Sequence, residues 1–315
     1  MREDIDVLVH EVGPRDGLQA VAATMPTAGK LEWIRAEAEA GVRQIQVGSF
    51  VPPKLLPQMA DAAAVVAGAI AIPDLTVSAL VPNLRGAENG MAAGAHQLGF
   101  VLSVSEAHNQ ANVRRSVQDS LDDFARIVEY RDANEAYRHV ALSGGMATAF
   151  GCTIAGRVEP AEVMRVAEAL VALGADRLGV ADTVGYANPG QVKALFEELY
   201  RTVGREVAIG AHFHDTRGLG LANVFAALEA GVREFDACLG GLGGCPYAPG
   251  ATGNIVTEDL VFMLESMGMR TGIDLDRLLR AREVMERHLA GEATHGAYVK
   301  AGAPKGFVPA SAAAA

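Results

Sequence analysis

The 315-residue chain is 50% hydrophobic, 21% charged and only 5% aromatic, with 35 glycines and a formal net charge of -11. That composition supports a large, closely packed core, and with no basic cluster beyond pairs such as Arg114-Arg115 it excludes nucleic acid as a partner, because phosphate recognition needs concentrated positive charge. Three cysteines argue against a disulfide framework, residues 1–6 carry no secretory pattern, and the apolar run 62–72 falls well short of the ~20 residues that span a bilayer, so a soluble cytoplasmic protein without a membrane partner is expected.

Taken in chain order, short apolar or β-branched runs alternate with longer helical ones. Strands are expected over residues 7–12, 44–48, 75–81, 97–104, 138–143, 177–181, 207–213 and 234–239. Helices are expected over 28–40, 57–69, 84–93, 117–134, 160–173, 189–203, 219–230 and 254–267. Pro160 and Pro189 sit where a first helical turn tolerates proline, and Gly41, Gly94, Gly174, Gly204 and Gly231 follow as stops. Strict alternation implies parallel strands joined by right-handed crossovers. Eight such units over roughly 260 residues match a closed (β/α)8 TIM barrel, for which about 250 is usual. The competing open sheet announces itself with a glycine-rich phosphate loop after its first strand. Here that position holds Gly13-Pro14-Arg15-Asp16-Gly17. The expected organisation is therefore a barrel domain over 1–270. A helical extension follows over 271–315, with a helix at 274–289 and a frayed or disordered run at 310–315.

A barrel gathers its catalytic groups at the C-terminal ends of its strands. Unusual polar residues collect there: Arg15 and Asp16 after the first strand, Gln46 and Ser49 at the second, Asp182-Thr183 at the sixth, and His212-Phe213-His214-Asp215 at the seventh. A glycine-rich loop carrying Cys245 follows the eighth and continues to Gly253-Asn254. His212 and His214 are two apart on a strand, so both imidazoles face one way. Asp16 and Asn254 can add oxygen ligands, a set better suited to octahedral Mg²⁺ or Mn²⁺ than to structural zinc. Asp182 can orient an imidazole through its second nitrogen, and Asp215 is expected to cap the helix that follows. Arg15 can steady a developing enolate oxygen. Cys245, set among glycines, is a candidate acid or base, whereas Cys238 reads as a small core hydrophobe.

The segments Glu11-Val-Gly-Pro-Arg-Asp-Gly-Leu-Gln19, Ser49-Phe-Val51 and Pro57-Gln-Met-Ala-Asp61 resemble the 3-hydroxy-3-methylglutaryl-CoA lyases. So do Gly179-Val-Ala-Asp-Thr-Val-Gly185, His212-Phe-His-Asp-Thr216 and Gly241-Leu-Gly-Gly-Cys-Pro-Tyr247 with Gly253-Asn254. These enzymes belong to the wider DRE-TIM metallolyase group that includes isopropylmalate and homocitrate synthases. The resemblance implies a divalent metal, Mg²⁺ or Mn²⁺, on Asp16, His212, His214 and Asn254. It implies catalytic roles for Arg15, Asp16, Asp182 and the loop acid/base Cys245, with Arg15, Gln46 and Ser49 against the substrate. The activity implied is retro-Claisen cleavage of an acyl-CoA thioester to acetyl-CoA and a ketoacid, acetoacetate in the best-known case, by a homodimer or higher homo-oligomer.

One position departs from the family pattern. Gln46 stands where a glutamate is expected, keeping length and hydrogen bonding but losing a negative charge. Two rival readings share the same metal site: a Claisen-type synthase joining acetyl-CoA to a 2-ketoacid, and a barrel that binds metal without catalysis. The Cys245 loop opposes the first, and the joint presence of Arg15, Asp16, Asp182 and Cys245 opposes the second.

Overall fold

The structure is a computed structural model of the chain and describes residues 4–243 and 253–313. Eight parallel strands follow one another around a closed barrel: β1 (Leu8–Glu11), β2 (Gln44–Ser49), β3 (Thr76–Val81), β4 (Gln97–Ser103), β5 (Ala141–Ala147), β6 (Arg177–Asp182), β7 (Ala208–Phe213) and β8 (Glu234–Ala237). Closure comes from β1 and β8, which pair from Leu8↔Glu234 to Glu11↔Ala237. Around the barrel lie α1 (Thr27–Glu39), α2 (Ala62–Ala69), α3 (Leu84–Ala92), α4 (Glu106–Val113), α5 (Val117–Ala133), α6 (Pro160–Ala172), α7 (Pro189–Val203), α8 (Gly220–Ala230) and α9 (Thr257–Ser266). The barrel expectation holds.

Strand parity divides the core into two zones. In β7, Ile209, Ala211 and Phe213 are buried, while Ala208, Gly210 and His212 are less so. β8 repeats this with Phe235 and Ala237 against Glu234 and Asp236. The apolar set packs beneath the helices and supplies most of the hydrophobic stabilisation, while the other set faces a polar barrel interior. That interior also carries a hydrogen bond between Gln44 and Gln97 (3.3 Å) and an ion pair between Arg177 and Glu234.

Several boundaries differ from expectation, each for a local reason. β5 begins at Ala141 rather than 138 and runs on through Gly144 and Gly145. Glycine has poor strand propensity, but a Cβ at Gly144 would lie 2.9 Å from the Leu170 side chain of α6, so helix packing requires the bare backbone. Helix α4 was not expected; its first turn is capped by Ser105, whose Oγ accepts the His108 N–H, and the buried Asn109 side chain ties its far end to Arg115 and Ser116. The helix expected from 254 starts at Thr257, because Asn254 is held in an antiparallel bridge with His214. Asp274 caps α10 (Leu275–His288), which packs on α1. Residues 310–313, expected to fray, form a helical turn in which Ser311 Oγ donates to Glu265 at 2.6 Å. None of the helices of the described residues is long and apolar enough to cross a membrane.

Candidate metal and active site

After β1 the chain makes a single wide helical turn, Gly13–Gly17, closed by the Leu18 N–H on the Gly13 carbonyl. Such wide turns recur at functional sites because they re-aim side chains. Trp33 explains the first glycine: a Cβ at Gly13 would sit 2.8 Å from its ring. Arg15 and Asp16 are thereby buried side by side at the barrel mouth and form an ion pair. Arg15 Nε also donates to the Gln46 Oε1. Gln46 is positioned by a bulge in β2, where the register with β3 shifts between Gln46 and Gly48.

Asp16 meets residues from three other parts of the chain. Its Oδ1 accepts from Gln19 Nε2 at 2.8 Å and its Oδ2 from Asn254 Nδ2 at 2.7 Å. Single ligand atoms of Asp16, His212 and His214 all lie within 4.8 Å of one another. The Nε2 atoms of the two histidines are 3.0 Å apart, and His212 Nδ1 lies 3.1 Å from Asp236 Oδ2. That pattern assigns the proton on His212 to Nδ1, donating to the carboxylate, and leaves its Nε2 lone pair facing the cluster.

Electrostatics follow from the same neighbours. Burial alone would raise the Asp16 carboxyl, but Arg15, His212, His214 and the Asn254 amide bring it below its ordinary value. Burial and the adjacent His212 push the His214 imidazole down to about 4, so it is neutral at neutral pH and able to ligate. Against the opposing effect of burial, Asp236 raises the His212 imidazole. Asp236 itself is held well below the carboxylate range: its burial is outweighed by His10 and His212.

A divalent cation fits this donor set. Two buried polar atoms at the cluster, Asn254 Oδ1 and His214 Nδ1, have no hydrogen-bond partner among the described residues. Asn254 is brought there by its backbone bridge to His214, and Gly243 must be bare to admit it, since a Cβ there would lie 2.5 Å from Asn254 Nδ2. The structure thus brings Asp16, His212, His214 and Asn254 together, with Arg15 and Gln46 alongside. Ser49, at the end of β2, is buried with its Oγ unpartnered among the described residues.

Asp182 makes no hydrogen bond to either imidazole among the described residues, although its charge reaches His212. It shares the parity of Leu178 and Val180 rather than that of Ala181, the residue in register with His212. Its oxygens accept the N–H groups of Tyr186 (2.8 Å) and Ala187 (3.1 Å), so it caps the loop after β6, and burial raises its carboxyl. The imidazole-orienting carboxylate is Asp236, which sequence reasoning missed; an acid of inward parity inside an apolar strand was the available signal. Asp215 accepts the N–H of Gly220 at 2.7 Å, the capping role expected of it, and Cys238 is a buried core residue. Cys245 lies outside the described residues.

Comparison with known proteins adds the following. The HMGL-like family model matches residues 6–285. A hydroxymethylglutaryl-CoA lyase of Bacillus subtilis is 40% identical over 284 residues, covering 90% of this chain and 93% of that protein. A 3-hydroxy-3-isohexenylglutaryl-CoA/hydroxymethylglutaryl-CoA lyase of Pseudomonas aeruginosa is 40% identical over 275 residues, covering 87% of this chain and 90% of its own. Among solved structures, an HMG-CoA lyase from Acinetobacter baumannii in complex with coenzyme A and 3-methylmalate superposes with a TM-score of 0.90 at 41% identity, over 98% of this chain and 99% of that one.

Proposed function

Because this chain belongs to the HMGL-like family, we propose that it is a metal-dependent carbon–carbon lyase cleaving 3-hydroxy-3-methylglutaryl-CoA, or a closely related 3-hydroxyacyl-CoA, to acetyl-CoA and a ketoacid, acetoacetate in the parent case. The observation that carries this reading is the convergence of Asp16, His212 and His214 beside a buried arginine. The Pseudomonas relative, named for a longer-armed substrate as well, supports keeping the acyl arm open as a class.

The residues that would hold the cation are Asp16, His212, His214 and Asn254, with Mg²⁺ or Mn²⁺ favoured by hard oxygens beside two imidazoles. When bound, such an ion supplies Lewis acidity that eases loss of the proton from the substrate's 3-hydroxyl. With that proton taken up by a basic group of the site, Asp16 or a histidine beside it, the oxygen becomes a ketone, and the breaking carbon–carbon bond leaves its electron pair on the thioester side as an enolate. Arg15 is placed to meet that charge. Its Nε is held by Gln46 and its Nη1 by Asp16, so its remaining Nη2 edge can donate to the thioester oxygen. Cys245 would then give its thiol proton to the enolate carbon, completing acetyl-CoA. Ser49 and the Gln46 amide would line the acyl arm, and Asp182 would hold the loop 183–187 beside it.

A coupled assay of acetyl-CoA release over a panel of 3-hydroxyacyl thioesters, with Mg²⁺ or Mn²⁺ supplied, tests the reading. Metal-dependent release from hydroxymethylglutaryl-CoA or a close analogue is expected. Thiol release from acetyl-CoA plus a 2-ketoacid would identify a synthase instead, and silence across both panels would overturn catalysis.

A further inference from the structure

The chemistry above leaves one polar column inside the barrel without a purpose. His10 sits in the middle of β1, buried, with its imidazole turned into the barrel. Its Nδ1 lies 2.8 Å from Asp236 Oδ1, and its Nε2 lies 2.9 Å from Ser78 Oγ, which in turn donates to the Ile45 carbonyl at 3.2 Å. Strand register makes the connection continuous, because Asp236 is paired with His10 on one side and with His212 on the other. Both oxygens of Asp236 are therefore engaged, one by His10 and one by the metal-ligand candidate His212.

Packing alone does not fix that carboxylate. Asp236 keeps 29% of its side-chain surface accessible, so its neighbours do not enclose it on every side. A carboxylate in such a space is oriented by its hydrogen bonds. Removing the His10 contact frees Oδ1 to turn towards water and takes away the fixed acceptor for His212 Nδ1–H.

Resting on the metal-centre reading above, we propose that His10 is a positioning residue of that centre, anchored on Ser78 and acting through Asp236 to hold His212 with its Nε2 lone pair aimed at the cation. His10 touches neither substrate nor cation. In comparable sites, losing the direct partner of a ligand, here Asp236, costs about 10- to 100-fold in metal affinity, and His10 acts through that partner.

Mn²⁺ binding to chelator-stripped protein, followed by electron paramagnetic resonance alongside thermal unfolding of the metal-free form, tests the proposal. His10→Leu is expected to weaken Mn²⁺ binding by about 10-fold, the lower end of what loss of a ligand's direct partner costs. His10→Asn, whose amide nitrogen replaces Nδ1, is expected to stay within about threefold of the parent, a rescue that a merely space-filling role would not give. A folded His10→Leu protein with parental affinity overturns the proposal, as does equal loss in both folded variants. Imidazole ¹⁵N spectra of the unsubstituted metal-free protein add a test that relies on neither variant's folding: His10 and His212 are both expected to carry a proton on Nδ1, facing Asp236, and either ring protonated on Nε2 alone overturns the proposal. If the parent itself takes up no Mn²⁺, the metal-centre reading has failed rather than the role of His10 within it.

Discussion

Asn254 donates its side-chain amide to Asp16 Oδ2 at 2.7 Å, joining residues 238 positions apart at the barrel mouth. Its own Oδ1 is buried and unpartnered among the described residues. Asn254→Ala removes both that oxygen and the Asp16 contact. Mn²⁺ affinity, measured by paramagnetic resonance titration, is expected to fall by about 10- to 100-fold. Unchanged affinity would strike Asn254 from the ligand set.

Arg15 is tied to Gln46 and Asp16 but reserves one edge of its guanidinium. Arg15→Gln is expected to lower kcat by about 10²- to 10³-fold, the usual consequence of losing a donor to a developing oxyanion. Mn²⁺ affinity is expected to change by no more than about threefold, a small fraction of the loss in kcat. If affinity fell in step with kcat, Arg15 would serve Asp16 rather than the substrate.

Gln46 accepts from Arg15 without adding charge. Gln46→Glu keeps the acceptor and places a negative charge beside the cation site. Mn²⁺ binding is expected to tighten by about tenfold, on the order of 1.4 kcal/mol, while KM for the anionic thioester rises. A variant with parental values for both would show that the charge at this position is silent.

Cys245 carries the proposed final proton transfer. Cys245→Ala should leave Mn²⁺ affinity intact and reduce turnover by about 10²- to 10⁴-fold, the range of a lost general acid. Near-parental turnover would exclude the thiol from the mechanism.

Glu11 lies beneath the Arg15 turn, accepting from the N–H groups of Gly13 (2.8 Å) and Leu239 (3.0 Å) and from Thr257 Oγ1 (2.6 Å). Burial pushes its carboxyl up to about 7, against those hydrogen bonds and with help from the negative Glu258. The folded chain therefore holds a proton that the unfolded chain, titrating near 4.5, releases. Stability from this group is complete below about 4.5 and is lost as pH rises through about 7, a change of up to about 3 kcal/mol. Urea midpoints of the parent and Glu11→Gln, compared at pH 4 and 8, should converge at the lower pH and favour the variant at the higher. Parallel pH dependence in both proteins would remove Glu11 as the source.

Much of this architecture was legible in one dimension. Period-two runs alternating with period-3.6 runs specify strand and helix through local geometry, and eight repeats leave little choice but closure. The spacing of His212 and His214 likewise fixes their common face by strand parity alone. Arg15 and Asp16 stood out because a glycine–proline turn at a strand end has few other reasons to carry paired charges.

What the sequence could not determine were relationships set by closure and register. His10 and Asp236 are 226 positions apart, and nothing near either one indicates the other; they meet because β1 and β8 hydrogen-bond with one particular stagger. Asn254 was legible as an oxygen ligand but also read as the start of a helix; the bridge to His214 that holds it outside that helix needed the folded chain. Asp182 lay one strand from the histidines in sequence order, yet the pleat turned it to its own loop and left Asp236 to hold His212. Local periodicity is written in neighbouring residues, whereas the partner of an inward side chain depends on how distant strands align, and that alignment exists only once the ring has closed.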